Sequence, residues 1–263
     1  MDLHLSGKVA LVTGAGRGIG LAVARQLAAE GVSVLAAART LSPELTQLAA
    51  GSPSVQPLEV DLAQADGPGR AVETAIARFG ALDILVNNVG GVRPRMGGFL
   101  SITDADWDWG LTMNLMVAVR TARAGIPKLL ERGGGTIVNV STVMSYLPDP
   151  DVYDYTAGKA ALTNFSKALS KEFGSRGIRV NTVSPGPVAT ELWTRSDGIA
   201  QAVVNATGID RESFLKEMAS RSVSDRFTQP DEVADLVVLL ASDRAGNVLG
   251  ADFAIDGGMI TTT

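Results

Sequence analysis

The first strand of this chain and the turn behind it decide the fold. Residues 8–20 read KVALVTGAGRGIG. The apolar run 8–13 is short and almost continuous, which predicts a strand buried on both faces of a sheet. Its glycines lead directly into an alanine-rich run over 18–30 with helical spacing, so we expect strand, turn and helix in succession. A glycine-rich turn that opens a helix suits phosphate binding, because backbone amides can approach the anion closely.

The same alternation of short apolar runs and longer amphipathic runs continues along the 263 residues. Segments such as 102–131 and 153–174 have helical spacing. The alternation predicts parallel strands joined by right-handed helical crossovers, and therefore a Rossmann-like, doubly wound α/β fold with helices on both faces of a mostly seven-stranded parallel sheet. The predicted strands are 8–13, 32–37, 55–60, 82–87, 136–141 and 178–183, with a short seventh at 253–255.

No linker or internal repeat interrupts the sequence, so we expect a single domain over residues 1–263. One segment, 191–225, departs from the strand–helix rhythm. It follows a predicted strand and carries Trp193, Met218 and several helical fragments. We interpret these residues as a lid on the substrate side and call them the lid segment.

The composition limits the chemistry that this chain can perform. There is no cysteine, and the single histidine is His4, which excludes thiolate catalysis, a Ser-His-Asp triad and metal sites built from several histidines or cysteines. Proton transfer must therefore rely on carboxylates, lysine or tyrosine.

Charge and hydropathy narrow the range of partners and compartments. The formal net charge of −5 argues against nucleic acid or an anionic membrane surface as the main partner. The apolar run 236–241 is too short to span a bilayer, and the N-terminus has no signal-peptide pattern. We expect a cytoplasmic protein that acts on a small molecule and binds no metal.

Tyr155 and Lys159 lie four residues apart in a predicted helix, one turn apart on the same face. A free phenol has a pKa of about 10 and donates protons poorly at neutral pH. A neighbouring ammonium favours the phenolate, so we expect Lys159 to lower the pKa of Tyr155. Such a tyrosine can exchange a proton with an alcohol or ketone oxygen, although the spacing alone also arises by chance.

The end of the second strand indicates which dinucleotide binds. An NAD site usually carries an acidic residue there, and this chain has Ala38 followed by Arg39. A guanidinium can pair with the 2′-phosphate of NADP, and Arg17 in the glycine turn is a second cation nearby. We therefore expect NADP(H) in preference to NAD(H). The alternative is that Arg39 is a solvated charge at a strand end.

In their order along the chain, these motifs resemble those of the short-chain dehydrogenases/reductases. The resemblance extends over residues 7–258 and includes a variant Asn-Asn-Ala-Gly motif with Val89 in place of Ala. It implies the Rossmann-like fold, a nicotinamide cofactor and a homotetramer. By resemblance, the cofactor-binding residues are Gly14, Gly16, Arg17, Gly18, Ile19, Gly20, Arg39, Asp61, Leu62, Asn87, Asn88, Gly90, Tyr155, Lys159, Pro185, Gly186, Val188 and Thr190.

The resemblance also implies catalytic roles. Tyr155 would donate the proton, Lys159 would hold the nicotinamide ribose, and Asn114 would anchor a water that relays protons. The family usually has a serine thirteen residues before the tyrosine, a position that Thr142 occupies here, one residue after Ser141. Either side chain supplies a hydroxyl for the substrate oxygen. Spacing favours Thr142, and the choice stays open at this point.

The predicted function is hydride transfer between NADP(H) and a carbonyl or secondary alcohol, with Tyr155 as general acid and base. Two alternatives stay open: a 3-oxoacyl-thioester (acyl-carrier-protein) reductase, which would share these motifs, and a non-catalytic dinucleotide-binding regulator. We interpret Asp149, Asp151 and Asp154 as solvated loop charges, one of which is a candidate to meet a polar substrate.

Overall fold

A seven-stranded parallel sheet forms the centre of the computed structural model, which describes residues 2–195 and 198–261. The strand order is β3-β2-β1-β4-β5-β6-β7, and every neighbouring pair is parallel. The predicted fold class is therefore confirmed. The strands are β1 Val9–Thr13, β2 Ser33–Ala38, β3 Val55–Glu59, β4 Ile84–Asn87, β5 Gly135–Val140, β6 Ile178–Pro185 and β7 Asp252–Ile255.

Alternating residues of each strand enter two separate cores, one on each face of the sheet. In β1, Ala10 and Val12 pack on the side of α1, α2 and α10, whereas Leu11 packs on the side of α3, α5 and α6. The helices are α1 Gly18–Ala29, α2 Pro43–Gly51, α3 Gly67–Phe79, α4 Asp104–Leu111, α5 Val117–Glu131, α6 Tyr153–Phe173, α7 Glu191–Thr194, α8 Ile199–Thr207, α9 Arg211–Ser220 and α10 Pro230–Ala241.

The chain direction across the sheet reverses between β1 and β4, which are neighbours although they are far apart in sequence. From β1 the chain moves outward to β2 and β3, then returns to add β4 on the other side. The loops behind the carboxyl ends of β1 and β4 therefore diverge and leave a crevice, which is where ligands bind in open α/β sheets.

The helical region predicted at 102–131 contains an irregularity that its spacing does not reveal. A π-helical turn, Thr112–Met116, separates α4 from α5. Such turns insert one extra residue into a helix and often occur at functional sites. Strand boundaries also shift slightly, since β6 continues to Pro185 and β4 begins at Ile84.

The described parts of the lid segment form α7, α8 and α9, which share a small apolar cluster of their own. Trp193, Ala200, Phe214 and Met218 are buried in this cluster. Across residues 2–195 and 198–261, no helix has the length and apolar character needed to cross a membrane.

Candidate functional site

The glycine turn forms a cradle of free backbone amides at the start of α1. Gly14 and Gly18 have φ angles of 68° and 55°, a left-handed conformation that glycine adopts without strain. A Cβ on Gly20 would press against the carbonyl oxygen of Gly14 and the amide of Asn88. No side chain caps α1, so its first amides are available to phosphate oxygens. The cradle therefore fits a dinucleotide pyrophosphate.

The amide of Asn88 holds this cradle against the sheet. Its Nδ2 donates to the carbonyl oxygens of Thr13 at 3.1 Å and Gly14 at 3.2 Å. Its backbone amide donates to Thr13 Oγ1 at 2.9 Å, and that hydroxyl donates to the carbonyl oxygen of Val86. The loops after β1 and β4 are thereby fixed to each other, so Asn88 has a structural role in the crevice.

Asn87 belongs to a second chain of hydrogen bonds that crosses the sheet into α6. Asn87 Nδ2 donates to Asn139 Oδ1 at 2.8 Å, and Asn139 Nδ2 donates to Ser166 Oγ at 2.7 Å. All three residues are buried. Buried amides are normally paired in this way, and the chain ties β4 and β5 to the helix that carries Tyr155.

The residues expected at the adenine end lie around the ends of β2 and β3. Arg39 is exposed and has no hydrogen bond or ion pair with any residue of the described chain, whereas Arg17 pairs with Glu191 at 3.4 Å. Asp61 Oδ1 accepts from the amide of Ala63 at 3.0 Å, and Leu62 is buried. Arg39 is thus a free guanidinium at the strand end.

Ser42, which was not predicted as a site residue, supports the glycine turn. Its hydroxyl donates to the carbonyl oxygen of Gly16 at 2.5 Å and accepts from the amide of Leu45, capping α2. A Cβ on Gly16 would lie 3.3 Å from both Ala38 Cβ and the carbonyl oxygen of Thr40, so the turn lies against the end of β2. The preference of serine for the residue before a helix was the available signal.

Lys159 is buried beneath the glycine motif that follows β4. Its Nζ donates to the carbonyl oxygen of Val140 at 2.7 Å. A Cβ on Gly90 would lie 3.1 Å from Lys159 Nζ and 3.2 Å from Asn114 Oδ1, so the two polar groups converge where Gly90 leaves room. Burial lowers the pKa of Lys159 to about 8.

The π-helical turn places Asn114 at the same point. Asn114 Nδ2 donates to the carbonyl oxygens of Gly91 at 2.8 Å and Gly110 at 3.0 Å, and Oδ1 accepts from the amide of Gly91 at 3.0 Å. The helix that carries Lys159 approaches closely, since a Cβ on Gly158 would lie 2.9 Å from Asn114 Cβ. Asn114 and Lys159 are therefore held in one rigid arrangement.

Tyr155 is half-buried. With Thr142 it lines a cavity that extends to the lid segment, which we call the substrate cavity. Burial raises the pKa of Tyr155 above its ordinary value, and the neighbouring hydroxyl of Thr142 opposes that rise. Our expectation that Lys159 lowers this pKa is wrong, because burial is the dominant effect and raises it. Lys159 is itself buried and its own pKa is lowered, so its positive charge is poorly stabilised where it lies.

Ser141 and Thr142 use their hydroxyls differently. Ser141 Oγ donates to the carbonyl oxygen of Lys159 at 3.2 Å and shares a hydrogen bond with Thr163 Oγ1 at 2.9 Å. Thr142 lies beside Tyr155, and its Oγ1 donates to the carbonyl oxygen of Pro185 at 3.4 Å and accepts from the amide of Met144 at 3.3 Å. Ser141 is therefore committed to the protein interior, and Thr142 accompanies the phenol.

Asp154 is 1% exposed, so its interpretation as a solvated loop charge is wrong. Arg95 Nε and Nη2 donate to its two carboxylate oxygens at 3.1 and 2.6 Å, and Nη1 donates to Asp106 at 2.7 Å. Asp154 raises the pKa of Arg95, and hydrogen bonds from Thr103 and then Arg95 lower the pKa of Asp106 to about 2. This group joins α4, the loop behind β4 and the start of α6.

The segment behind β6 closes the remaining side of the crevice. Gly186 is held by its amide, which donates to the carbonyl oxygen of Ile255 at 3.0 Å, and Val188 is bridged to Thr228. A Cβ on Gly18 would lie 3.1 Å from Thr190 Cγ2, so this segment lies beside the glycine turn. The residues of this segment that line the cavity along with Ile19 are Pro185, Gly186, Pro187, Val188 and Thr190.

The cavity has a volume of about 280 Å³ and extends from Tyr155 and Thr142 to the lid segment. Its volume is near the lower end of ligand pockets, which run from about 300 to 1,000 Å³. The described residues contain no group of three or more His, Asp or Glu side chains that is placed to hold a metal ion. The arrangement offers a proton donor, a neighbouring hydroxyl and a buried amine at the end of a dinucleotide cradle.

Comparison with known proteins agrees with this geometry. Residues 14–260 match the family model described as Enoyl-(Acyl carrier protein) reductase. The chain is 37% identical over 261 residues to D-threitol dehydrogenase of Mycolicibacterium smegmatis, covering 98% of this chain and 94% of that protein. It is 33% identical to the 3-oxoacyl-[acyl-carrier-protein] reductase FabG of Thermotoga maritima, covering 98% and 100%.

A solved structure is similar over the whole length. The L-sorbose reductase of Gluconobacter frateurii, complexed with NADPH and L-sorbose, superposes with a TM-score of 0.91 at 34% identity and covers 100% of both chains. The fold, the order of the motifs along the chain and the similar proteins all indicate the same family. The chain belongs to the short-chain dehydrogenase/reductase family, whose members act as oxidoreductases on CH–OH and C=O groups.

Proposed function

We propose that this chain transfers a hydride between NADP(H) and a carbonyl or secondary alcohol substrate, with Tyr155 as general acid and base. The observation that carries this proposal is that the phenol of Tyr155 lines the cavity together with Thr142. The same cavity is lined by Ile19 of the glycine turn and by Thr190, which lies beside Gly18.

The chemistry divides between the cofactor and the protein. Bound NADPH supplies the hydride for the carbonyl carbon. Tyr155 gives its proton to the substrate oxygen as negative charge develops there, so the product is an alcohol. Thr142 donates a hydrogen bond to the same oxygen and orients it. In the oxidative direction the phenolate takes the proton from the alcohol, and the carbinol carbon gives up its hydride, which bound NADP⁺ would accept.

Lys159 and Asn114 complete the proton path in this proposal. Lys159 lies one helical turn from Tyr155 and is placed to return a proton to the phenolate that Tyr155 becomes after it gives up its own. A pKa of about 8 lets Lys159 carry or release a proton near neutral pH. Asn114 Oδ1 and Lys159 Nζ both lie beside Gly90. In this proposal Asn114 anchors the water through which that proton returns to solvent.

The residues at the end of β2 favour NADP(H) as the cofactor. Arg39 follows Ala38 where an acidic residue would repel a 2′-phosphate, and it is exposed without a partner among the described residues. Guanidinium groups pair strongly with phosphate. The solved L-sorbose reductase, complexed with NADPH, adds support by similarity.

The acyl-carrier-protein alternative is not preferred. Among the described residues that line the cavity, the charged ones are Asp149, Asp151 and Arg221. They give no excess of positive charge for an acidic carrier protein. The regulator alternative predicts no turnover. A regulator would not need Tyr155 at the cavity with Lys159 one helical turn behind it. We also propose the lid role of 191–225 within a single domain, a homotetramer and a cytoplasmic location, which family resemblance supports.

The test is a screen of ketones, aldehydes and secondary alcohols with purified protein, followed at the NADPH absorbance band. We expect NADPH consumption with some carbonyl compounds and NADPH formation with the matching alcohols. Absence of turnover across the panel, with NADPH still bound by calorimetry, would favour the regulator instead.

A further inference from the structure

Apolar side chains from the lid segment form one side of the substrate cavity. Those of Trp193, Phe214 and Met218 are buried in the lid cluster and also line the cavity. Each therefore presents one surface to the cluster and another to the cavity. The apolar residues on the lid side are Leu192, Trp193, Ile199, Val203, Phe214 and Met218, and the polar ones are Thr207 and Arg221.

The opposite side continues the apolar surface. Val92 and Pro94 come from the loop behind β4, which Arg95 fixes to α6. Met144 and Val152 come from the segment between β5 and α6. The polar side chains of this wall are Tyr155, Thr142 and Ser141, together with Asp149 and Asp151 of the segment between β5 and α6.

Few polar side chains line the outer cavity, and some of them are engaged within the protein. Thr207 Oγ1 donates to the carbonyl oxygen of Val203 at 2.8 Å. Asp149 Oδ1 accepts from the amide of Asp151 at 2.9 Å, and Arg221 lies 3.9 Å from Asp149 Oδ2. The exposed carboxylate of Asp151 has no hydrogen bond or ion pair with a described residue. Substrate hydroxyls that lie against the apolar side chains of the lid would be unpaired, which is unfavourable.

We propose that the substrate is a ketone or secondary alcohol whose remaining groups are apolar, an aliphatic or aryl chain rather than a sugar or polyol. This inference rests on the proposed function and specifies its substrate class. It sets the chain apart from the relatives named for D-threitol and L-sorbose. The carbonyl oxygen meets Tyr155 and Thr142, and the rest of the molecule packs against the lid.

A homologous series measures this preference. We would determine kcat/KM for the reduction of butan-2-one, hexan-2-one, octan-2-one and L-sorbose with NADPH, and for the oxidation of octan-2-ol and D-threitol with NADP⁺. Each added methylene should raise kcat/KM about fourfold until the cavity is filled, which corresponds to about 0.8 kcal/mol. The inference is overturned if L-sorbose exceeds octan-2-one in reduction, or if D-threitol exceeds octan-2-ol in oxidation.

Binding without turnover separates this inference from the proposed function. The same ketones and L-sorbose are titrated into the NADPH complex of the Tyr155→Phe variant, with tryptophan fluorescence as the signal because Trp193 lines the cavity. Binding that strengthens with chain length, in a wild-type protein that turns over no carbonyl compound, supports the apolar site and rejects the hydride-transfer proposal. Tighter binding of L-sorbose than of octan-2-one overturns the apolar site.

A matched pair of variants locates the effect. Leu192 lines the cavity and is 43% exposed, whereas Leu239 on α10 is 40% exposed and does not line it. Leu192→Ser should lower the ratio of kcat/KM for octan-2-one over butan-2-one by at least about threefold. Leu239→Ser should leave that ratio unchanged. An unchanged ratio in Leu192→Ser, or an equal fall in both variants, overturns the assignment of the lid as the apolar wall.

Discussion

Replacing Arg95 by Met should destabilise the protein strongly, because it leaves a buried carboxylate alone. Arg95 and Asp154 have side chains that are 11% and 1% exposed, and two hydrogen bonds join them. Removing one member of a buried ion pair costs about 3–5 kcal/mol. Asp106 contributes little to this loss, since it keeps solvent contact and its bond to Thr103.

The expected fall in Tm for Arg95→Met is roughly 6–20 °C for a chain of this size. Thermal and urea unfolding, followed by circular dichroism, measure it. The matched control is the double variant with Asp154→Asn, chosen because Asp154 lies too close to Gly110 for a larger side chain. We expect the double variant to be about 2 kcal/mol more stable than Arg95→Met alone, because the unpaired charge is gone. A loss below about 1 kcal/mol in Arg95→Met, or a double variant that shows the sum of both single losses, would refute the reasoning.

Three further predictions concern the site. Arg39→Ala should raise the KM for NADPH roughly 10- to 100-fold and leave the KM for NADH nearly unchanged, since a charged hydrogen bond to the 2′-phosphate is lost; equal changes for both cofactors would contradict this. Thr142→Ala should lower kcat about 100-fold and Ser141→Ala less than about tenfold, and the reverse order would reassign the hydroxyl. Lys159 is charged below its pKa of about 8 and neutral above it, so kcat/KM for reduction should fall as pH rises through about 8; a flat profile would show that its charge is not needed.

The fold was predictable because its signals are local and repeated. Continuous apolar runs at β1 and β4 predicted strands buried on both faces, and the glycine turn marked the start of α1. The π-helical turn at Thr112–Met116 was not predictable, because an extra residue in a helix leaves the apolar spacing almost unchanged.

The order of the motifs along the chain was enough to propose which residues form the candidate site. It did not predict the contacts that individual side chains make. Spacing favoured Thr142, and the structure now shows how the two hydroxyls differ: Ser141 bonds to Thr163, and Thr142 faces Tyr155. Asp154 was misread because its partner, Arg95, is 59 residues away in sequence. Only the fold brings the loop behind β4 onto the start of α6.

The most direct test of the central claim is the Tyr155→Phe variant, because it removes one hydroxyl and keeps the ring. General acid catalysis contributes roughly 10²–10⁴-fold, so kcat with the best substrate from the screen should fall at least about 100-fold. The Kd for NADPH, measured by calorimetry, should stay close to that of the wild-type protein, since the glycine cradle is untouched. Turnover near the wild-type rate in this variant would contradict the assignment of Tyr155 as the proton donor.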